Sequence, residues 1–215
     1  MNGSAPLDLY CERLGAGLAA EPLNALTNLA FLVAALHVAR RFRGQLDGDL
    51  RVLVILLGLI GVGSLVFHTV ATVWASVLDV AFIALYVVLF IHRALVRLAG
   101  WPAGRALGAV MTTIALSTLL AMTVRVPALN GSQLYLGPWL ALLVLTLLVP
   151  TAASRRWLRW ACALFALSMA LRSVDLALCP VWPLGTHFGW HLNNALVLWC
   201  TLRALLARPA GRPAP

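Results

Sequence analysis

Two of the five histidines in this 215-residue chain, His187 and His191, stand four positions apart in the run Thr186-His187-Phe188-Gly189-Trp190-His191. On a helix that spacing stacks both imidazoles on one face, so one metal ion can sit between them. A third imidazole from another helix completes a facial set, and His68 is the candidate. Three protein ligands leave the fourth tetrahedral position to water, the arrangement of a catalytic rather than a structural zinc. Imidazole also suits other transition metals, so zinc is the preferred ion rather than the only one. Ser64 precedes His68 by one helical turn and shares its face, with Gly61 a further turn back. Both read as small residues that let a neighbouring helix approach, and Ser64 also as a hydrogen-bond donor into the metal pocket. Asp79 follows closely in sequence. A carboxylate beside metal-bound water can accept its proton and return it to a leaving group; its other reading is a structural carboxylate bonded to neighbouring helices.

These residues need elements to position them, and the composition says which. Hydrophobic residues make up 62% of the chain, charged residues 11%, and mean hydropathy is +0.92. A soluble domain carries roughly 25% charged and 45–50% apolar residues. The apolar residues come in blocks of about 20, the length that crosses a hydrocarbon core of roughly 30 Å as a helix. Inside lipid every backbone polar group must be satisfied within the segment, so the blocks read as helices. Seven spans are expected, near residues 22–38, 51–70, 74–95, 106–124, 136–149, 157–178 and 186–206. The fold class is therefore an all-α membrane protein, a seven-transmembrane helix bundle. Residues 1–21 form an N-terminal segment outside the cytoplasm, residues 22–207 the membrane domain, and residues 208–215 a disordered tail. The second span ends where the seventh begins, which puts His68 at the depth of His187 and His191.

Charge placement sets the orientation. All 16 basic residues are arginine, and the net charge is +9. Nucleic acid is not the partner this implies, because the arginines sit at the ends of apolar blocks with no aromatic interleaving. Arg40, Arg41, Arg43, Arg51, Arg93, Arg97, Arg105, Arg155, Arg156, Arg159, Arg203, Arg208 and Arg212 fall on one side of the expected bundle, Arg13 and Arg125 on the other. Positive charge in short loops favours the cytoplasmic side, so the N-terminus is expected outside, the C-terminus in the cytoplasm, and the histidines toward the outer side. Residues 1–7 lack a signal-peptide pattern, which leaves the first helix as its own targeting signal. Cys11 and Cys179 share the outer side, where an oxidising compartment allows a disulfide between them. Cys162 and Cys200 lie within spans and read as packing residues.

Further ionisable groups lie at membrane depth, where each is a functional candidate. Arg172 and Asp175, three apart, are expected to pair with each other. His37 and His92 lie toward the inner ends of their spans and read as interfacial. A retinal protein needs a lysine Schiff base, and the chain has no lysine. A membrane haem protein, with His37 and His92 as axial ligands, and a lipid-binding or receptor-like protein with a structural metal stay open.

Three segments together resemble the alkaline ceramidase family. They are Tyr10-Cys11-Glu12 with Glu21-Pro22-Leu23-Asn24-Ala25-Leu26-Thr27-Asn28, Gly63-Ser64-Leu65-Val66-Phe67-His68-Thr69 followed by Asp79, and the closing His187-x-x-x-His191 run. Their order is similar to that of the seven-helix intramembrane hydrolases that include the adiponectin receptors. The resemblance implies zinc held by His68, His187 and His191, with Ser64 and Asp79 around the bound water. The implied reaction is hydrolysis of the amide of a ceramide or related N-acyl lipid, entering from the bilayer, to a free amine lipid and a fatty acid. It also implies calcium at acidic residues such as Glu12 and Glu21. Calcium takes six to eight oxygen ligands, this stretch offers few, and Leu9 stands where the family has an aspartate. Brevity and arginine-only basicity suggest a bacterial member, in a cytoplasmic membrane.

Overall fold

The structure, a computed structural model, describes residues 3–15, 17–124 and 126–207; the expected tail at 208–215 and Arg125 lie outside the described residues. It is all-helical, in keeping with the apolar blocks. The helices are α1 (Pro22–Thr27), α2 (Leu29–Arg41), α3 (Gly48–Val70), α4 (Val73–Arg97), α5 (Ala103–Thr123), α6 (Leu136–Leu148), α7 (Ala152–Leu178) and α8 (His187–Leu206). The expected first span is α1 and α2 joined at Asn28, which keeps a right-handed helical conformation. Five of the seven expected spans are both long and apolar enough to cross a membrane: 22–41, 48–70, 73–97, 103–123 and 152–178. The expected fifth span reaches 17 residues only with the 3-10 turn Ser132–Tyr135 that precedes α6. The last, α8, has 20 residues but carries His187, His191, Asn193, Asn194, Thr201 and Arg203, which dilute its apolar character. Its burial explains the polarity: twelve of its residues are buried, whereas α5 buries only Ala106, Val110 and Ser117.

α8 is thus the inner helix, packed most extensively on α7 and also against α2, α1 and α3. One apolar core runs through the bundle, with Leu57, Tyr86, Leu145, Leu158, Leu202 and Leu205 nearly or fully enclosed. Cys162 and Cys200 are buried free thiols of this core. Outward-facing leucines and valines such as Val33, Val77, Leu85, Leu119, Leu147 and Leu196 remain exposed, the surface expected of helices solvated by lipid rather than water.

Two glycines set the approach of α3 to its neighbours. A Cβ on Gly61 would meet Phe31 Cβ at 2.9 Å and the Asn28 carbonyl at 3.0 Å, and one on Gly63 would meet Phe82 at 2.9 Å. Their absence of side chain lets α2 and α4 close on α3, as the small-residue reading of Gly61 anticipates. At the end of α3, Ala71 adopts a left-handed conformation (φ 47°), and the chain turns straight back into α4. The N-terminal segment lies along this turn, with Leu7 N donating to Ala71 O (2.8 Å) and Val73 N to Ala5 O (3.2 Å). At the other end of the bundle Arg97 bridges Asp47 (2.7 Å) and Asp49 (2.8 Å), and Arg93 adds a contact to Asp49 (3.0 Å).

Candidate metal centre

Both ends of the α3–α4 turn and the start of α8 meet at one level of the bundle. There His68, His187 and His191 present one ligand atom each, all within 4.8 Å of one another, and each side chain is only 1% exposed. The ring centroids lie 4.6–5.1 Å apart. Buried polar groups are normally hydrogen-bonded, so the unpartnered nitrogens matter. His68 Nε2 and His191 Nε2 are both buried with no protein partner, and so is His187 Nδ1.

The opposite ring nitrogens explain why the Nε2 atoms are free. His68 Nδ1 lies 2.6 Å from Glu21 Oε2. A carboxylate only accepts, so the proton is on Nδ1 and the Nε2 lone pair faces the other histidines. His191 Nδ1 lies 3.0 Å from Thr27 Oγ1, whose own proton goes to the carbonyls of Leu23 or Asn24. The hydroxyl therefore accepts from Nδ1, and His191 too offers Nε2. Outer partners of this kind fix the tautomer and orientation of metal-ligating imidazoles. The donor set, three buried imidazoles each with an unpartnered ring nitrogen, fits a transition-metal ion such as zinc.

The two acidic residues near the N-terminus are engaged with protein donors. Glu12 accepts from Leu23 N (2.6 Å) and Asn24 N (2.8 Å), which fastens the start of α1. Glu21 accepts from Arg13 Nε (2.5 Å), Asn24 Nδ2 (3.1 Å) and His68. Burial opposes ionisation of Glu21, but the bonds from His68, Arg13 and Asn24 outweigh it and hold the carboxyl below the usual carboxylate range. Arg13, expected as a loop charge, is instead buried and also donates to the His68 carbonyl (3.3 Å). The reason is that Glu21 is enclosed, and an enclosed carboxylate needs a cation beside it.

Ser64 and Asp79 flank the histidines. The close approach at Gly63 brings α4 against this stretch of α3, and Ser64 hydrogen-bonds to Asp79 rather than to a histidine. Asp79 Oδ1 is buried without a partner. Both residues and His191 line a cavity of about 1070 Å³, open mouth included, that continues between α3, α4, α6, α7 and α8 past Ile83, Val87, Phe90, Leu142 and Phe165. Its polar groups cluster at the histidine end; the rest is apolar, apart from Tyr86 and Thr201, bonded to each other (2.8 Å) at the far end.

The expected pairing of Arg172 with Asp175 does not form. Asp175 accepts backbone hydrogens from Cys11 (3.0 Å), Thr186 (2.6 Å) and His187 (2.9 Å), a capping role at the positive end of α8. Arg172 lies instead among the rings of Tyr10, Tyr135 and Trp190 (5.3–5.7 Å to their centroids). Along α7 the two side chains serve different neighbours, and i, i+3 spacing alone does not decide between them. Tyr10 stacks on His187 at 3.5 Å and accepts from Arg172 Nη1 (2.5 Å). Its phenol is pushed up to about 12 by burial, against the pull of Arg172, and stays protonated. The Tyr10 segment is tied down by a disulfide between Cys11 and Cys179, Cα atoms 5.4 Å apart. Tyr10, Arg13, Thr27 and Trp190 were not legible as site residues; the only signal was their position inside or beside the His, Glu and Asn segments. His37, against Phe42 and Trp199, and His92, in an apolar groove of α3, α4 and α5, have different neighbours and no part in this centre.

A family model described as Ceramidase matches residues 8–201, nearly the whole of the chain and every element that builds the centre. The chain belongs to the ceramidase family. It is accordingly a hydrolase acting on amide bonds, and the reading as a non-catalytic receptor-like protein gives way to an enzyme. Comparison with curated proteins returns no match. The matched region begins before Tyr10 and Cys11, so the family includes the segment that closes over His187.

Proposed function

We propose that this ceramidase-family protein is a zinc-dependent intramembrane hydrolase that cleaves ceramide or a related N-acyl lipid to a free amine lipid and a fatty acid. The observation that carries the reading is the convergence of three buried imidazoles with unpartnered ring nitrogens beside a largely apolar cavity that His191 lines. His68, His187 and His191 would hold the ion, which supplies Lewis acidity toward the amide carbonyl and makes water nucleophilic near neutral pH. Zinc rather than calcium is the ion of this reading, because imidazole nitrogen suits zinc and the carboxylates of Glu12 and Glu21 are bonded to protein donors.

The chain's own residues divide the remaining work. Asp79, with a free oxygen, takes the proton from the attacking water and delivers it to the departing amine nitrogen as the C–N bond breaks and a C–O bond forms. Ser64 orients that carboxylate. Apolar walls from Ile83 to Phe165 receive the acyl chain and keep bulk water from the amide. Glu21 and Thr27 hold two of the imidazoles in their binding tautomers. The bundle would sit in a bacterial cytoplasmic membrane, N-terminus and centre outside and C-terminus in the cytoplasm, a reading supported by the arginines at the opposite end.

The test is turnover by protein of measured metal content. Purified protein is loaded with zinc and given a panel of N-acyl lipids, with and without chelator, and fatty-acid release is followed. Release that stops on chelation and returns with zinc is expected; a fully loaded sample that releases none from any lipid would overturn the reading. His191→Ala is expected to lose bound zinc.

A further inference from the structure

Arg172 and Asp79 are the only formally charged side chains among the described residues that line the cavity. They act on each other at longer range, but no contact ion pair joins them among the described residues. Asp79 is bonded to Ser64, and imidazole ligands bring no negative charge to balance a divalent ion. Arg172 has no carboxylate within ion-pair distance among the described residues, and its one hydrogen bond from the guanidinium goes to a neutral phenol. Its Nε is buried without a partner, and its guanidinium carbon lies over the rings of Tyr10, Tyr135 and Trp190. The buried Nε–H is thus a donor of the guanidinium edge that no protein acceptor meets. A cation in that position within a membrane bundle is costly unless something anionic joins it, and a guanidinium edge matches the two-oxygen geometry of a carboxylate or phosphate.

We infer that Arg172 is a substrate-recognition residue for the polar end of the lipid, and that the preferred substrates are N-acyl lipids bearing an anionic oxyanion group, carboxylate or phosphate, near the scissile amide. The inference rests on the amide-hydrolase reading for the reaction, but not for the binding. The geometry supports it: Tyr10 touches both Arg172 and His187, and Trp190 lies one turn after His187 and directly before His191 on the same helix. A headgroup on Arg172 is therefore held beside the histidines while the acyl chain runs into the apolar arm.

Two measurements separate this inference from the reaction it builds on. In the first, binding of tetradecylthioacetic acid, which has no amide to cleave, is compared with 2-(tetradecylthio)ethanol by tryptophan fluorescence of the zinc-loaded protein in detergent. The acid is expected to bind at least about 30-fold tighter, a charge-assisted hydrogen-bonded contact in a desolvated site. Arg172→Gln should abolish that preference while holding alcohol affinity within about threefold, and Arg172→Lys should keep part of it. In the second, kcat/KM is compared for N-oleoylglycine against its methyl ester and for ceramide 1-phosphate against ceramide; the pair with the larger ratio identifies carboxylate or phosphate as the group recognised. Equal binding of acid and alcohol by the wild type overturns the inference without needing any variant to fold. Equal loss of both ligands in a metal-replete Arg172→Gln protein overturns it too, since that is what a purely structural arginine produces. Charge-selective binding with no lipid cleaved would leave this inference standing and remove the hydrolase reading; cleavage with no charge preference would do the reverse.

Discussion

At the residue scale, the centre depends on groups that are not themselves ligands. Glu21 fixes the His68 tautomer and is balanced by Arg13 on its other oxygen. Glu21→Gln keeps the size and one accepting oxygen but removes the charge that draws the proton to Nδ1. Such outer-partner changes weaken metal binding by about 10–100-fold, and the expected result is a rise of that order in the zinc dissociation constant, read by chelator competition. Asp79 makes the opposite separation. It touches Ser64 and not the ligand nitrogens, so Asp79→Asn should leave zinc content unchanged and lower kcat by about 10²–10⁴, the range for loss of a positioned acid–base group. A variant that instead lost its zinc would show Asp79 to be part of the metal-holding structure.

At the element scale, the junction before α8 decides whether His187 and His191 face His68. Gly185 is left-handed (φ 62°), and a Cβ there would run into the Asp175 carboxylate and Cys11. Asp175 is fully enclosed and fastens both the Cys11 backbone and the first amides of α8. Gly185→Ala therefore combines backbone strain with displacement of that carboxylate, and about 1–3 kcal/mol of lost stability is expected. Thermal unfolding in detergent measures it, with reduced zinc content as the accompanying sign that α8 has shifted. Gly58→Ala is the control: its Cβ would meet Ala35 and Leu32 at an ordinary 3.9 Å, and the transition should hardly move.

At the scale of the whole molecule, the Cys11–Cys179 bridge joins positions 168 residues apart and so ties the first segment to the end of α7. Cross-links of long loops contribute typically about 2–4 kcal/mol, less where inserted helices already restrict the unfolded chain. The Cys11→Ser and Cys179→Ser double variant is expected to inactivate at a lower temperature than the oxidised protein, and added reductant should lower the wild type to the same value; no difference would mean the bridge adds nothing to the packing of Tyr10 and Glu12. The orientation is tested by reporter fusions at the two ends, with the C-terminal reporter expected active in the cytoplasm and the N-terminal one outside. The reverse pattern would remove the arginine argument along with the outer location of the centre.

Much of this was legible in the linear sequence, for reasons that differ by feature. Apolar block length determines helices because a backbone in lipid has no other way to satisfy its polar groups, and the i, i+4 histidines share a face because helical geometry is local. His68 and Asp79 stood out because ionisable residues are rare in such blocks. Partner choice was not legible. Arg172 and Asp175 looked like a pair and serve different neighbours; Arg13 looked like a loop charge and is buried on Glu21; and nothing in the sequence named Glu21 as the partner of His68. Each of these outcomes depends on which chain segment lies across from the side chain, and helix packing and the fold of residues 3–21 decide that. The two polar-lined ends of α3 and α8 could be named from sequence alone, but only the tertiary structure joined them to a cavity lined by both Asp79 and Arg172.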